Sequence, residues 1–293
     1  MTTMTPSLPA AATDHPALQA ASEGPEHTIA REGTRLVMRR AAADTPEFWE
    51  AQWRAHPPQR MRGERASLWF RAPMRWLPRD GVVLEAGCGN GNICRTFANE
   101  GFRMEGLDFA ARVIDANRAA DPKGRYTVGD VRALPHANGS LAGYISLGVI
   151  EHFDDETRAG ILREATRALK RGGIAIITTP AYTPLRRLAT LLGAHRAPGA
   201  GAPGEPAPLP FYQYFFTPRD LREQVEAAGL RVVARDAYDV YKGLKDTLPG
   251  PLGAMVKRWW PHEGPLGRTL KHPWRPLRLL AAHMQLVVAR KPW

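Results

Sequence analysis

Cysteine and long apolar runs are both scarce in this sequence. The 293 residues include only two cysteines, Cys88 and Cys94, which excludes a disulfide framework and favours a reducing compartment. Two thiols without a nearby group of histidines do not form a zinc site, so we expect no bound metal. The longest apolar run, LLAAHMQLVVA, is interrupted by His283 and Gln285. No segment therefore reaches the ~18 apolar residues that a transmembrane helix needs.

Acidic residues are also few, with 29 Asp and Glu against 40 Lys and Arg, which gives a formal net charge of +11 and a pI near 10.1. Such an excess favours an anionic partner, which means a nucleic acid, a membrane surface or an acidic substrate. Most of the excess lies between Tyr241 and Trp293, where ten basic residues and two acidic ones are interleaved with tryptophan and leucine. That mixture is typical of a bilayer interface, and it also suits single-stranded nucleic acid or a solvated cover over the core.

The composition divides the chain into three parts. Residues 1–28, rich in Ala, Thr, Pro and Ser, predict a disordered tail, and they lack the basic and apolar regions of a secretory signal. Residues 29–80 predict a helical cover, and residues 81–293 predict the main folded domain. The tryptophans of the cover either anchor it on the following domain or help to close a ligand site. These tryptophans are Trp49, Trp53, Trp69 and Trp76.

Short apolar segments alternate with amphipathic ones from Gly81 onward. VVLEAG, RMEGLD, RYTVGD, AGYISLG and GIAIITT predict five strands, and the longest predicted helix covers DETRAGILREATRALKRGG. Strands that alternate with helices indicate a parallel sheet with helices on both faces. LRVVAR and HMQLVVARK predict a sixth and a seventh strand. Insertions rich in Pro, Gly or basic residues interrupt the pattern at about 181–216 and 241–282.

The glycine-rich turn in VVLEAGCGNGN lies between the first of these strands and the first helix. Gly87, Gly89 and Gly91 let backbone N–H groups approach a ligand closely, at a helix N-terminus that favours negative charge. The pattern is G-x-G-x-G after Glu85, whereas a dinucleotide fingerprint has its third glycine where this chain has Asn92. The turn resembles motif I of the class I S-adenosylmethionine (SAM)-dependent methyltransferases, and an NAD-dependent oxidoreductase is disfavoured.

Later motifs extend this resemblance over about residues 81–240 and the last strand. It implies an α/β fold with a Rossmann-like, doubly wound, seven-stranded sheet that is mostly parallel with the last strand antiparallel, and it implies SAM as cofactor. It also implies that Asp108 accepts from both ribose hydroxyls, that Phe109 packs on adenine, and that Asp130 and the Val131 N–H bind the adenine edge. The residue types leave two alternatives open, Asp108 as a helix N-cap and Asp130 as a turn residue. The full cofactor-binding prediction is Glu85, Gly87, Gly89, Gly91, Asp108, Phe109, Asp130, Val131 and Leu147.

The acceptor side of the site is predicted from position alone. The family often ends its fourth-strand segment with Glu-His, which ISLGVIEH matches with Glu151 and His152, although both residues also suit a solvated helix start. His152 is the candidate general base, because it follows the fourth strand at the edge where ligands of open α/β sheets bind. The predicted lining of the acceptor pocket is Glu151, Tyr182, Tyr212 and Tyr214.

The resemblance implies a methyltransferase whose acceptor is a small molecule or a lipid-linked compound. The segment after the fourth strand has no Asn/Asp-Pro-Pro-aromatic motif, and neither cysteine is in a Pro-Cys dipeptide, the motifs of amino- and cytosine-methylating nucleic-acid enzymes. An RNA methyltransferase and a non-catalytic SAM-binding scaffold stay as alternatives. We expect a cytoplasmic protein that associates peripherally with the inner face of an anionic membrane through residues 241–282.

Overall fold

The described part of the chain alternates strands and helices over most of its length. The computed structural model describes residues 27–40, 46–55, 73–193, 209–248, 250–259 and 273–293. Its strands are β1 His27–Glu32, β2 Arg35–Arg40, β3 Val82–Ala86, β4 Arg103–Asp108, β5 Arg125–Val128, β6 Leu141–Leu147, β7 Leu169–Pro180, β8 Phe211–Phe215, β9 Arg231–Tyr238 and β10 Met284–Arg290. Its helices are α1 Pro46–Ala55, α2 Asn92–Asn99, α3 Ala111–Ala120, α4 Asp155–Ala168, α5 Pro184–Leu191, α6 Pro218–Ala227, α7 Val240–Thr247, α8 Gly250–Trp259 and α9 Arg275–Ala281.

Seven strands form one sheet in the order β5-β4-β3-β6-β7-β10-β9. Strands β3 to β7 are parallel, and β10 pairs antiparallel with both β7 and β9. The predicted Rossmann-like sheet with an antiparallel last strand is therefore confirmed. Because the strand order reverses beside β3, the loops that follow β3 and β6 diverge and leave a crevice at the carboxyl ends of the parallel strands. We call this the C-terminal edge of the sheet.

Apolar side chains cover both faces of this sheet. Neighbouring residues of β3 point to opposite faces, so Val83 packs in a cluster with Phe97 of α2, whereas Leu84 packs in a cluster with Leu162 of α4. All four side chains are at most 1% exposed. Burial on both faces explains why the strands read as nearly continuous apolar segments.

A second, three-stranded sheet is formed in the order β1-β2-β8. The β1–β2 hairpin turns at Gly33, which has a positive φ of 60°, and β2 pairs antiparallel with β8. The prediction of a purely helical cover over residues 29–80 is wrong here, and His27 and Thr28 belong to β1 and not to the tail. The reason is that this hairpin is completed by a strand far along the chain, which local periodicity does not reveal. Residues 1–26 and Trp69 lie outside the described residues.

Strand β7 begins earlier than the sequence predicts. Helix α4 ends at Ala168, and the Lys-Arg-Gly-Gly segment, predicted as the end of this helix, is part of the strand. Leu169 already pairs with Leu141 of β6, and the register then shifts before Gly143 pairs with Ile174. Between these two pairs, the Gly172 N–H donates to the Lys291 carbonyl at 3.0 Å and the Lys291 N–H donates to the Gly173 carbonyl at 2.9 Å, so the residue after β10 binds this part of the strand.

Four helices gather at the C-terminal edge of the large sheet. Helices α5 and α7 follow β7 and β9, and α9 precedes the antiparallel β10, so all three lie at that edge. Helix α8 packs on α7, and α9 contacts both α5 and α7. A methyl group built on Gly243 of α7 would lie 1.9 Å from the Ala281 carbonyl oxygen, so α7 and α9 meet backbone to backbone. No helix among the described residues is both long and apolar enough to cross a membrane.

Candidate functional site

The glycine-rich turn after β3 is tightly enclosed by its neighbours. Gly87, Gly89 and Gly91 have positive φ angles of 75°, 48° and 66°. A methyl group on Gly87 would lie 2.5 Å from Val149 Cγ2, and one on Gly89 would lie 2.4 Å from Cζ2 of Trp53. Both the backbone conformation and the available space therefore require glycine at these positions.

Glu85, at the end of β3, is a buried carboxylate held by a single neighbour. Its Oε2 accepts hydrogen bonds from the Cys94 N–H at 3.0 Å and from the Cys94 thiol at 2.9 Å. Burial raises the pKa of Glu85 to about 7, although the two hydrogen bonds from Cys94 oppose this rise. Because Cys94 lies in the first turn of α2, the carboxylate also fixes that helix against β3. The buried thiol thus has a structural contact, and its pKa is raised by burial.

Asp108, at the end of β4, holds the glycine turn from the opposite side. Its Oδ2 accepts from the Gly89 N–H at 2.9 Å, and its Oδ1 accepts from the Ala110 N–H at 3.0 Å. Burial raises the pKa of Asp108, whereas these N–H groups lower it. Ala110 is the N-cap of α3, so the alternative role of Asp108 as the N-cap residue does not apply. Each carboxylate oxygen retains a lone pair for a ligand hydroxyl.

Asp130 lies at the predicted cofactor site and also forms the turn that the sequence left open as its alternative role. Its Oδ1 accepts from the Arg132 N–H at 2.8 Å, which is an Asx turn, and its Oδ2 lies 2.6 Å from Nη2 of Arg132. The side-chain hydrogen bond from Arg132 lowers the pKa of Asp130, so this carboxylate is ionised at neutral pH. Asp130, Val131 and Arg132 all line the same cavity.

A cavity of about 510 Å³ opens between the carboxyl ends of β3, β4, β5 and β6. It brings together eight of the predicted site residues, which are Glu85, Gly87, Asp108, Phe109, Asp130, Val131, Leu147 and His152. The rest of its wall is formed by Trp49, Trp53, Cys88, Asn90, Asn92, Ile93, Arg132, Gly148, Val149 and Phe153. Asn90 and Asn92 alternate with the motif glycines, so the sequence pattern could have predicted that they line the cavity.

The remaining predicted residues do not line this cavity. Gly89 lies behind the ring of Trp53, and Gly91 lies against Asn117 and Tyr126. Glu151 is buried beside the end of β6, so the alternative of a solvated helix start does not apply to it. Tyr182 packs in the small core between the two sheets, with Leu36 and Phe215. Tyr214 contacts two arginines, Arg35 and Arg158, away from the cavity.

His152 is held at the cavity wall by Tyr212. Its Nδ1 lies 2.9 Å from the Tyr212 carbonyl oxygen. Since a carbonyl only accepts, Nδ1 carries the proton, and the neutral imidazole has its lone pair on Nε2. The Tyr212 ring lies 5.0 Å from the imidazole and the Trp49 ring lies 5.1 Å from it, both edge to face. Tyr212 is therefore a support for His152, whereas the sequence predicted it to line the acceptor pocket.

Two tryptophans of α1 complete the wall. Trp49 and Trp53 stack with ring centroids 6.3 Å apart, and Trp49 also stacks on Tyr212. Of the two interpretations of these tryptophans, closing a ligand site is the one that this arrangement supports. Composition alone did not distinguish them, because α1 reaches the glycine turn only through the tertiary fold.

Comparison with known proteins gives a family match for part of the chain. The family described as "Methyltransferase domain" matches residues 83–173, which include the glycine turn, Asp108, Asp130 and His152. The match supports the resemblance to the class I SAM-dependent methyltransferases. The segment that matches is the part of the chain that surrounds the cavity, from β3 to the start of β7.

Curated relatives of this chain differ in what their names say they act on. A Mycolicibacterium smegmatis protein named "Probable S-adenosylmethionine-dependent methyltransferase" is 30% identical over 177 residues, which are 60% of each chain. A malonyl-[acyl-carrier protein] O-methyltransferase of Enterobacter lignolyticus is 30% identical over 42% of this chain and 47% of the relative. A tRNA (carboxymethyluridine(34)-5-O)-methyltransferase of Xenopus tropicalis is 33% identical over 34% of this chain and 16% of the relative. The chain thus spans less than two thirds of the length of each.

Solved structures share the fold of this chain. The crystal structure of a SAM-dependent methyltransferase from Archaeoglobus fulgidus superposes with a TM-score of 0.51 at 17% identity, over 85% of this chain and 100% of that chain. At this identity the likeness shows the fold alone, and it agrees with the seven-stranded sheet described above.

The cavity fits SAM, the cofactor that the resemblance to class I methyltransferases implies. SAM presents cationic groups and ribose hydroxyls, and two buried carboxylates, Glu85 and Asp108, lie in the wall without a salt bridge to any of the described residues. The cradle at Gly87 and Gly89 leaves no room for a Cβ atom. The cavity volume of about 510 Å³ is also in the range of cofactor sites. The donor set and the space therefore agree with this cofactor.

Proposed function

We propose that this protein transfers the methyl group of SAM to a small-molecule or lipid-linked acceptor. The observation that carries the proposal is one cavity in which two buried carboxylates lie on one side and His152 lies on the other. A methyl transfer needs a cofactor site and an acceptor site that open into each other, because the donor and the acceptor must react in line. We also propose that residues 81–293 form the catalytic domain, with residues 29–80 as its cover.

The residues that would hold the cofactor follow from the geometry. Asp108 is placed to accept hydrogen bonds from ribose hydroxyls, with the glycine turn fixed by the same carboxylate. Phe109, 46% exposed in the cavity, offers an apolar surface for a purine ring, next to Asp130 and Val131. Leu147 borders the other side. When it is bound, SAM supplies a methyl group already activated by a sulfonium, so the protein mainly positions the acceptor and excludes water.

The role of His152 is to take a proton from the acceptor. Its Nε2 carries the lone pair of the neutral ring, since Nδ1 donates to the Tyr212 carbonyl. A hydroxyl acceptor becomes a stronger nucleophile as this proton leaves. Trp49 and Trp53 close the cavity beside His152 and keep water from the reacting groups.

Two features favour a small or lipid-linked acceptor over RNA. The cavity is closed on one side by α1, which suits a compact acceptor or the end of a long one. The surface at the C-terminal edge of the sheet includes α7, α8 and α9, which are described parts of the basic and tryptophan-rich segment 241–282. This surface suits an anionic membrane, and the protein would work at the inner face of that membrane. Methylation of RNA and SAM binding without catalysis are the alternatives that the experiments must separate.

The cofactor assignment is tested by calorimetric titration with SAM and S-adenosylhomocysteine, with NADH as the negative ligand. We expect binding of both sulfur nucleosides and none of NADH. Asp108→Ala should abolish the binding, because it removes the acceptor for the ribose and loosens the glycine turn. Asp115→Ala, at an exposed position of α3, is the matched control and should bind normally. If neither nucleoside bound, the proposal would fail.

The base assignment is tested on turnover. With small-molecule and lipid extracts as acceptors and labelled SAM, we expect His152→Ala to lose about 10²–10⁴-fold in rate while its SAM affinity is unchanged. Equal rates for wild type and His152→Ala would remove the base role. Labelling of tRNA and not of the extracts would favour the RNA alternative, and SAM binding without labelling of any class would favour the scaffold.

A further inference from the structure

Exposed large apolar side chains are concentrated on three helices. Of the eleven such side chains in the described ranges, eight lie on α5, α8, α9 or the residues at their ends. Those on α5 and α8 follow helical spacing, so each helix presents one apolar stripe to solvent. Both helices lie at the C-terminal edge of the sheet, and we call their two stripes together the docking face, which consists of Leu188, Leu191, Leu192, Leu252, Met255 and Trp259.

The same helices carry cations and no acids. The sequences of α5, α8 and α9, PLRRLATL, GPLGAMVKRW and RPLRLLA, contain no Asp or Glu. Arg187, Lys257 and Arg258 are exposed next to the apolar stripes. The Arg258 guanidinium lies 5.8 Å from the ring centroid of Trp259. An apolar stripe with exposed cations and no acid on its own helix is complementary to a membrane, which is apolar in its interior and anionic at its surface.

The docking face lies at the same edge of the sheet as the cavity. Helix α5 starts just after the end of β7, and α8 packs on α7, which follows β9. Strands β7 and β9 both end at the C-terminal edge, where β3, β4 and β6 deliver Glu85, Asp108 and the turn that holds His152. A surface that binds this face therefore stands beside the edge at which the acceptor enters.

We propose that the docking face binds the surface of an anionic lipid bilayer and that the cavity receives its acceptor from that side. The second clause rests on the proposed methyl transfer, whereas the first does not. Half of the face, on α5, lies outside the basic segment 241–282 that the sequence indicated. The assembled face thus supplies two signals together, apolar insertion and charge attraction, as stable peripheral binding requires.

The chemistry of the face favours lipid over nucleic acid. Five of its six residues are aliphatic or Met, and such side chains have no flat surface on which a base can stack. Leucine, methionine and tryptophan instead suit the boundary between headgroups and acyl chains. The cations at Arg187, Lys257 and Arg258 then lie at the level of the phosphates.

The proposal is tested by sedimentation with phosphatidylcholine vesicles that contain about one third phosphatidylglycerol, at physiological salt. We expect the protein to pellet with these vesicles and much less with pure phosphatidylcholine. Trp259→Glu and the double variant Leu191→Glu/Leu192→Glu should each weaken binding on the order of tenfold. Lys257→Gln and Arg258→Gln should each weaken it about fivefold. Trp293→Glu is the matched control, since Trp293 is 82% exposed against 73% for Trp259 and packs at Gly172, away from the helices.

The outcomes separate the docking face from the proposed catalysis. SAM titration on the same samples should give wild-type affinity for every variant, which also shows that each one folds. Absence of pelleting by the wild type, or equal losses for Trp293→Glu, would overturn the docking proposal while methyl transfer stood. If the wild type bound tRNA or itself but not vesicles, and Trp259→Glu lost that interaction, the proposal would be overturned in favour of those partners. Vesicle binding without SAM binding would leave the docking face and remove the catalytic proposal.

Discussion

At the scale of single residues, Glu85 makes the stability of the protein depend on pH. It is 3% exposed, and burial raises its pKa to about 7 from an ordinary value of 4.5. Below pH 4.5 the carboxyl is protonated in both the folded and the unfolded chain. Between 4.5 and about 7 the unfolded chain loses the proton first, so the free energy of unfolding falls as the pH rises.

We therefore expect Glu85→Gln to remove this decline. The difference between the two pKa values corresponds to roughly 3 kcal/mol above neutral pH, and a glutamine amide oxygen can still accept from the Cys94 N–H. The measurement is urea unfolding as a function of pH for wild type and variant. Glu100→Gln, on the exposed turn after α2, controls for the substitution itself. Parallel pH profiles for wild type and Glu85→Gln would contradict the assignment.

More of the residues predicted to bind the cofactor line the cavity than of those predicted to line the acceptor pocket. Glu85, Asp108 and Asp130 follow strand ends at recognisable spacings, so their common location follows from the parallel sheet alone. Tyr182 and Tyr214 were placed by residue type only, and burial in the small core or contact with arginines takes them elsewhere. No local signal shows on which side of a neighbouring element a tyrosine packs.

At the scale of elements, the contact between α7 and α9 depends on one glycine. A methyl group on Gly243 would lie 1.9 Å from the Ala281 carbonyl oxygen, so α7 would have to move away from the start of β10. The α7 position also sets that of α8, which packs on it. The layer at the C-terminal edge is thus fixed by a close backbone approach.

We expect Gly243→Ala to destabilise the protein by about 2 kcal/mol or more, because its added methyl group has no space. Gly160→Ala is the matched control, since Gly160 lies inside α4 with no atom closer than 4.0 Å to an added methyl group. That control should raise stability by about 0.5–1 kcal/mol through helix propensity. Thermal unfolding of the two variants checks that one lowers the stability and the other raises it. A change in the same direction for both variants would refute the close contact at Gly243.

The regular alternation of strands and helices made the large sheet predictable, whereas no local pattern predicted the β1–β2 hairpin. Each strand from β3 to β7 is an apolar segment bounded by turn residues, and these signals are local. The hairpin consists of two short strands with four arginines, and Leu36 and Val37 are buried where β2 pairs with β8. Such pairing between distant segments leaves no periodicity in a single stretch of sequence.

At the scale of the whole molecule, the small sheet is joined to the large domain by both packing and charge. Leu36 is fully buried against Tyr182 and Phe215. Arg35 forms a salt bridge with Asp155 at the start of α4. Arg158 of the same helix is also fully buried and donates to the Phe153 carbonyl at 2.6 Å. Because of these contacts we expect the hairpin and the large sheet to unfold together.

We expect Leu36→Ala to lower the stability of a single, shared unfolding transition by about 2–5 kcal/mol, the usual cost of truncating a buried leucine. The measurement is urea unfolding followed by far-ultraviolet circular dichroism. Leu192→Ala, at a side chain 80% exposed, should change stability by less than about 0.5 kcal/mol. If Leu36→Ala produced a separate early transition and left the main one in place, the small sheet would be an independent unit.

The stacked pair Trp49 and Trp53 has a practical consequence for anyone who studies ligand entry. Both indole rings form part of the cavity wall, and Trp53 rests on the glycine turn. Indole emission depends on how much water surrounds the ring, and a ligand that fills the cavity displaces that water. The protein therefore carries an intrinsic fluorescent reporter of occupancy, by which association and release can be followed in real time without a dye or a label.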